Sequence, residues 1–118
     1  MKLKVYAYKN CDTCRKALKF LERHGIAHTV IPIRETPPSP GELRRMLQAQ
    51  SGNLRSLFNT SGGDYKAPGM KDRLPTMSEE EAIRQLASNG NLIKRPFAIA
   101  EDVALVGFDE DTWKKVLR

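Results

Sequence analysis

Leu3, Val5 and Ala7 alternate with Lys4, Tyr6 and Tyr8, the two-residue period of a strand with one face more buried than the other. From Thr13 the period lengthens. Cys14, Ala17, Leu18 and Leu21 recur at helical spacing, with Arg15, Lys16, Lys19, Glu22 and Arg23 on the other side, which predicts an amphipathic helix. Gly25 is placed to end it in the left-handed conformation that glycine adopts cheaply. Ile26 to Ile33 is rich in β-branched and apolar residues and predicts a second strand, with Pro32 marking a sheet edge or the strand's end. A right-handed crossover through one helix makes the two strands parallel neighbours.

Thr36-Pro37-Pro38 breaks the pattern. Ser39-Pro40-Gly41-Glu42 then combines an N-cap, a proline at the first helical position and a glutamate three residues after the cap, so a helix starts there. Leu43, Met46 and Leu47 give it an apolar stripe to about Gln50. Leu54, Leu57 and Phe58 suggest a further short helix, and Asn59 to Met77, with glycines and prolines between Gly62 and Gly69, is the least regular stretch. A second capping box, Ser78-Glu79-Glu80-Glu81, opens a helix whose Ala82, Ile83, Leu86 and Ala87 face inward before Gly90 closes it. Pro96 to Ala100 and Val103 to Gly107 read as two short strands around Glu101-Asp102, a tight hairpin. Asp109 caps a last helix with Lys114, Lys115 and Arg118 toward its end and Trp113, Val116 and Leu117 as its buried side.

The order β-α-β, then helices, then β-β-α predicts an α/β fold: one four-stranded sheet with a helical insertion at about residues 39–90. With 118 residues and 40% apolar content, the chain is expected to form one domain spanning 1–118, a monomer. It has no apolar run of the ~18 residues that a membrane span needs, and the opening from Met1 to Tyr8 alternates instead of forming an apolar block, so a soluble cytoplasmic protein is expected. Twenty Lys and Arg against 14 Asp and Glu leave a net charge of +6, which favours anionic partners. The cations are dispersed and lack interleaved aromatics, so a solvated basic surface is expected rather than direct nucleic-acid binding.

The two cysteines are too few for a disulfide scaffold, and their spacing carries the chemistry. In Asn10-Cys11-Asp12-Thr13-Cys14, strand one ends and the helix begins. Cys11 therefore lies among amides with unused hydrogen-bond donors, where the helix dipole and Lys9, Arg15 and Lys16 favour a thiolate. Cys11 is the candidate nucleophile. Cys14, one turn on, starts the buried stripe and suits the role of resolving a mixed disulfide formed by Cys11. Asp12 opposes ionisation of Cys11 by favouring the neutral thiol.

Two other uses of these cysteines are open to the sequence. Cys11, Cys14, His24 and His28 approximate a zinc-finger string, but a helix over residues 14 to 24, rising ~1.5 Å per residue, separates Cys14 from His24 by about 15 Å, too far for joint ligation. No metal site is expected. The cysteines could also simply pack in a core. Lys94-Arg95-Pro96 places two cations before a strand-opening proline; arginine's planar fork can clamp an oxyanion or carboxylate, although a strand-edge arginine is more often only solvated.

A CxxC after a short strand, a helical insertion, the late run Leu92-Ile93-Lys94-Arg95-Pro96-Phe97 and then Val106-Gly107-Phe108 together resemble the ArsC/Spx family over nearly the whole chain. The resemblance implies a thioredoxin-like (glutaredoxin-like) mixed sheet, a cis Pro96 that exposes backbone beside the cysteines, and Arg95 as the contact to a substrate anion near Cys11. Asp12, Thr13, Arg15, Lys94, Pro96 and Asn59 are the surrounding substrate-binding candidates. Glutaredoxin-coupled arsenate reductases have two further arginines around arsenate. Here Asn59 and about Gly107 stand in those places, which implies an incomplete arsenate cage, and Cys14 adds an internal resolving thiol that those enzymes commonly lack.

The function expected is a thiol-disulfide oxidoreductase with no bound cofactor, acting on a small thiol or oxyanion substrate and re-reduced by glutathione or by a thioredoxin or glutaredoxin. Arsenate is a possible but poor substrate. The alternative is an Spx-like regulator that binds RNA polymerase and is switched by oxidation of Cys11 and Cys14; a third is a redox-inert binding module on the same fold.

Overall fold

In the computed structural model, which describes residues 2–66 and 69–117, β1 (Leu3–Ala7) leads into α1 (Asp12–Arg23) and then into β2 (His28–Pro32), which runs parallel to β1 with Val5 paired to Val30. The chain next forms α2 (Pro40–Ala49), the single-turn helices α3 (Gly63–Lys66) and α4 (Met70–Arg73), and α5 (Glu79–Ser88). β3 (Phe97–Ala100) lies antiparallel on the other side of β1. The Glu101–Asp102 turn sends β4 (Val103–Val106) back along it, and α6 (Glu110–Leu117) follows. The result is a mixed four-stranded sheet in the order β2-β1-β3-β4, with the helical segment inserted between the two halves as the periodicity predicts.

Local chemistry accounts for the boundaries. At the end of α1, Gly25 adopts φ +64 and its N–H returns to Glu22 while that of Ile26 returns to Leu21, closing the last turn. At the start of α2 both halves of the capping box form: Ser39 accepts from the Glu42 N–H, and the Glu42 carboxylate accepts from the Ser39 N–H. The second box is only half made. Ser78 accepts from the Glu81 N–H, with no return bond among the described residues. The short helix expected around Leu54 is a 3-10 turn, Leu54–Leu57.

The central position of β1 buries both of its faces, which corrects the one-sided reading of its alternation. Leu3, Val5 and Ala7 pack with Cys14, Ala17, Phe20 and Leu21 of α1 and Trp113 and Leu117 of α6. Tyr6, expected on the polar side, is buried on the opposite face with Phe97, Ile99, Leu43, Met46, Ile83 and Leu86. Edge strand β2 leaves Val30 49% exposed. Val116 is also corrected: it is 43% exposed, because Trp113 and Leu117 alone turn inward.

Gly90 does not terminate α5. Asn89 ends that helix, and Gly90 opens a 3-10 turn, Gly90–Leu92. Its reason for being glycine is contact: a Cβ there would fall inside the Ile33 carbonyl oxygen, so the glycine lets this turn lie against the chain leaving β2. Arg118 and Pro68, which entered the readings of the last helix and of the irregular stretch, lie outside the described residues.

Candidate active site

The turn between β1 and α1 is tied by the Cys11 N–H, which donates to the Tyr8 carbonyl at 3.1 Å. This sets Cys11 as the N-cap of α1 with an extended backbone (φ −107, ψ 117), and its Sγ does the capping, accepting the Cys14 N–H at 3.4 Å. A sulfur that accepts from a helix N-terminus carries negative charge more readily than a free thiol. Partial burial disfavours the Cys11 thiolate, but the Cys14 amide, the Cys14 side chain and the Arg95 guanidinium outweigh it and hold the pKa below the ordinary thiol range. Cys14 behaves oppositely. It is 1% exposed, and burial, reinforced by the neighbouring Cys11, pushes its thiol up to about 12. Both thiols are free. One is poised to ionise and the other is kept protonated.

Arg95 comes from the segment entering β3, immediately before the cis Arg95–Pro96 bond. Its guanidinium lies 5.1 Å from the centroid of the Tyr8 ring, and that of Arg34 lies 4.9 Å from the same ring. Arg95 Nη1 is buried and has no hydrogen-bond partner among the described residues. Buried donors are nearly always paired, so this arginine nitrogen is unused hydrogen-bonding capacity.

A cavity of about 590 Å³ opens at this point, lined on one side by Cys11 and Thr13 and on the other by Lys94, Arg95 and Gly107. The insertion contributes Asn59. A single antiparallel bridge between Phe58 and Ile93, together with the Asn59 N–H bonded to the Leu92 carbonyl at 2.7 Å, lays it beside Lys94. Of the residues singled out from the sequence, Cys11, Thr13, Lys94, Arg95 and Asn59 thus share one cavity, as does Gly107, and Cys14 lies beneath Cys11. Pro96 is buried behind the wall, where its carbonyl accepts the Gly107 N–H at 2.8 Å. Asp12 and Arg15 do not line the cavity: they are paired with each other on the exposed flank of α1. The expected opposition of Asp12 is therefore met by Arg15, and Arg95 is the cation that acts on Cys11.

Sequence reasoning missed Tyr8, which the strand alternation marked only as a polar-face residue. Its role emerges from two arginines distant in sequence. It also missed Gln50, Ser61, Asp109 and Thr112, which line the cavity and carry no motif. His24 caps the far end of α1 with its ring 4.3 Å from that of Phe20, and His28 bonds the Ile26 carbonyl. Among the described residues no three His, Cys, Asp or Glu side chains gather in a metal-ligating group, and no helix is long and apolar enough to cross a membrane.

The model of the ArsC family matches residues 6–116. An uncharacterized protein of Bacillus subtilis, YusI, is 44% identical over 98% of both chains. The arsenate reductase of Neisseria meningitidis serogroup A is 28% identical over 89% of both chains, and the global transcriptional regulator Spx of Listeria innocua is 28% identical over 96% of this chain and 85% of its own. The crystal structure of an ArsC family related protein from Bacteroides fragilis superposes with a TM-score of 0.91 at 40% identity, over 98% of both chains. The sheet and helices are those of the thioredoxin-like fold.

Proposed function

The chain belongs to the ArsC family, and from that premise we propose that it is a cytoplasmic thiol-disulfide oxidoreductase in which Cys11 attacks and Cys14 resolves. The observation that carries this reading is the pairing of an N-cap thiol, its pKa held low, with Arg95 on the wall of the same cavity, whose buried Nη1 has no hydrogen-bond partner among the described residues.

The Cys11 thiolate attacks one sulfur of a substrate disulfide. A bond forms from Cys11 Sγ to that sulfur, the substrate S–S bond breaks, and the other half leaves as a thiolate that takes up a proton. Once Cys11 is in the mixed disulfide it no longer bears charge, which removes the part of the Cys14 shift that Cys11 causes. Cys14 then loses its proton and attacks Cys11 Sγ, expelling the bound half. The substrate has gained two electrons and the protein holds a Cys11–Cys14 disulfide, which glutathione or a thioredoxin-type dithiol re-reduces. Arsenate is a poor substrate on this reading, because Asn59 and Gly107 bring no positive charge to the cavity.

The test is steady-state reduction of a small disulfide and of arsenate with glutathione, and separately with a thioredoxin system. Disulfide turnover that disappears in Cys11→Ser supports the proposal, and unchanged turnover in that variant contradicts it. Similarity to Spx over 96% of this chain supports a second reading, a redox-switched regulator that engages RNA polymerase. Retention of polymerase by the oxidised but not the reduced protein, without turnover, would favour it.

A further inference from the structure

Lys94 precedes Arg95, and its N–H donates to the Leu57 carbonyl at 2.9 Å, which fixes where its side chain departs. The stem then crosses Gly107. A Cβ on Gly107 would lie 2.9 Å from Lys94 Cε, 3.5 Å from Nζ and 3.8 Å from Cδ, the first closer than Cβ contacts tolerate. Gly107 also holds φ +72, where a side chain is disfavoured. The positive φ is what calls for glycine at this turn after β4, and the flexible Lys94 stem lies across it on the cavity wall.

The Lys94 ammonium has no carboxylate within 4.0 Å among the described residues. Asp109, the one acid on the same lining, keeps its charge and accepts from the Thr112 hydroxyl at 2.6 Å, but it forms no ion pair with Lys94 within 4.0 Å. The cavity therefore presents two cations with open valences, Arg95 beside the sulfur and Lys94 across Gly107. At about 590 Å³ it falls among pockets that take organic molecules, roughly 300–1,000 Å³, and far exceeds the needs of an oxyanion.

We propose that Lys94 is the specificity-determining cation of this site and that the preferred substrate is a small organic disulfide bearing a carboxylate, which Lys94 takes while Arg95 faces the reacting sulfurs. This rests on the thiol-disulfide reading and deepens it. In the exchange, the Cys11–S bond forms as the substrate S–S bond breaks, and the carboxylate takes no part in the bond changes; it binds and orients.

The experiment uses the reduced full chain and two chromogenic disulfides, dithiobis(nitrobenzoate), whose rings carry carboxylates, and neutral dithiodipyridine. Second-order rates are compared between wild type, Lys94→Met and Lys94→Arg. An exposed ion pair of up to ~1 kcal/mol corresponds to roughly fivefold. Lys94→Met should lose about that factor with the carboxylated probe and stay within about twofold of wild type with the neutral one. Lys94→Arg should retain the preference, and added salt should erase it in wild type. Equal losses with both probes, or none with either, would overturn the role of Lys94 while leaving the thiol chemistry intact. Failure of Cys11 to react with either probe would instead remove the thiol-disulfide reading and this inference with it.

Discussion

The two ends of the sheet are both lined with cations and dispose of them differently. Where β1 begins, Lys4 and the Tyr6 hydroxyl both reach the Glu42 carboxylate, which also accepts the Ser39 N–H. Arg45 donates to the carbonyls of Ala100 at 2.7 Å and Glu101 at 3.0 Å. Where β1 ends, among the described residues Arg95 keeps a buried nitrogen without a partner and Lys94 lines the cavity without a carboxylate partner, and Cys11 is held toward its thiolate. Similar residue types thus do structural work at one end and leave bonding capacity open at the other. Unspent bonding capacity, more than charge, locates the site.

The sharpest way to break this contrast is to remove the proposed nucleophile. Cys11→Ser should lower disulfide turnover on the order of 10³-fold or more and leave urea-induced unfolding near wild type. Next is Arg95→Met. Because Arg95 helps hold the Cys11 pKa down, the thiolate fraction in wild type persists to lower pH than for a free thiol, and it is lost as pH falls through the depressed value. The variant's alkylation profile with iodoacetamide should move to higher pH, with a rate loss at neutral pH of about tenfold for each unit moved. The two proteins should converge at alkaline pH, where both are ionised. A uniform loss at every pH would make Arg95 a packing residue only.

A smaller effect, and one at the opposite end, is expected for Glu42→Gln. Burial raises the Glu42 pKa, but Lys4, the Ser39 N–H and Tyr6 together bring it below the ordinary carboxylate range. The stabilisation from its charge is therefore present above about 4.5 and is lost as pH falls through the depressed value. Loss of the charged cap should cost about 1–2 kcal/mol at neutral pH, and the difference from wild type should shrink in acid. Thiol reactivity should stay unchanged. A change in Cys11 alkylation in this variant would show that the two ends are coupled.

Much of this was legible in the chain. The CxxC at a strand-to-helix junction, the Ser39 box, Gly25 and the hairpin around Glu101-Asp102 are local signals, and local chemistry decides them. What escaped depends on contacts between distant segments. Tyr6 is buried because the insertion covers the second face of β1, Gly90 is needed because the chain after β2 runs against it, and Lys94 reads as a plain surface lysine until its stem is seen across Gly107. Arg15 misled for the reverse reason. Adjacency to Cys11 in sequence placed it near the thiol, whereas helical geometry turned it outward to Asp12. Arg95, singled out by the resemblance, keeps its Nη1 unpartnered among the described residues.

The most direct measurement is the intact mass of the reduced wild-type protein and of Cys14→Ser after each is mixed with one equivalent of a small disulfide and quenched in acid. Wild type should end with an internal Cys11–Cys14 disulfide and no retained adduct, and Cys14→Ser should hold the substrate half on Cys11. An adduct that persists on wild type, or one mapped to Cys14 instead of Cys11, would contradict the division of labour between the two thiols.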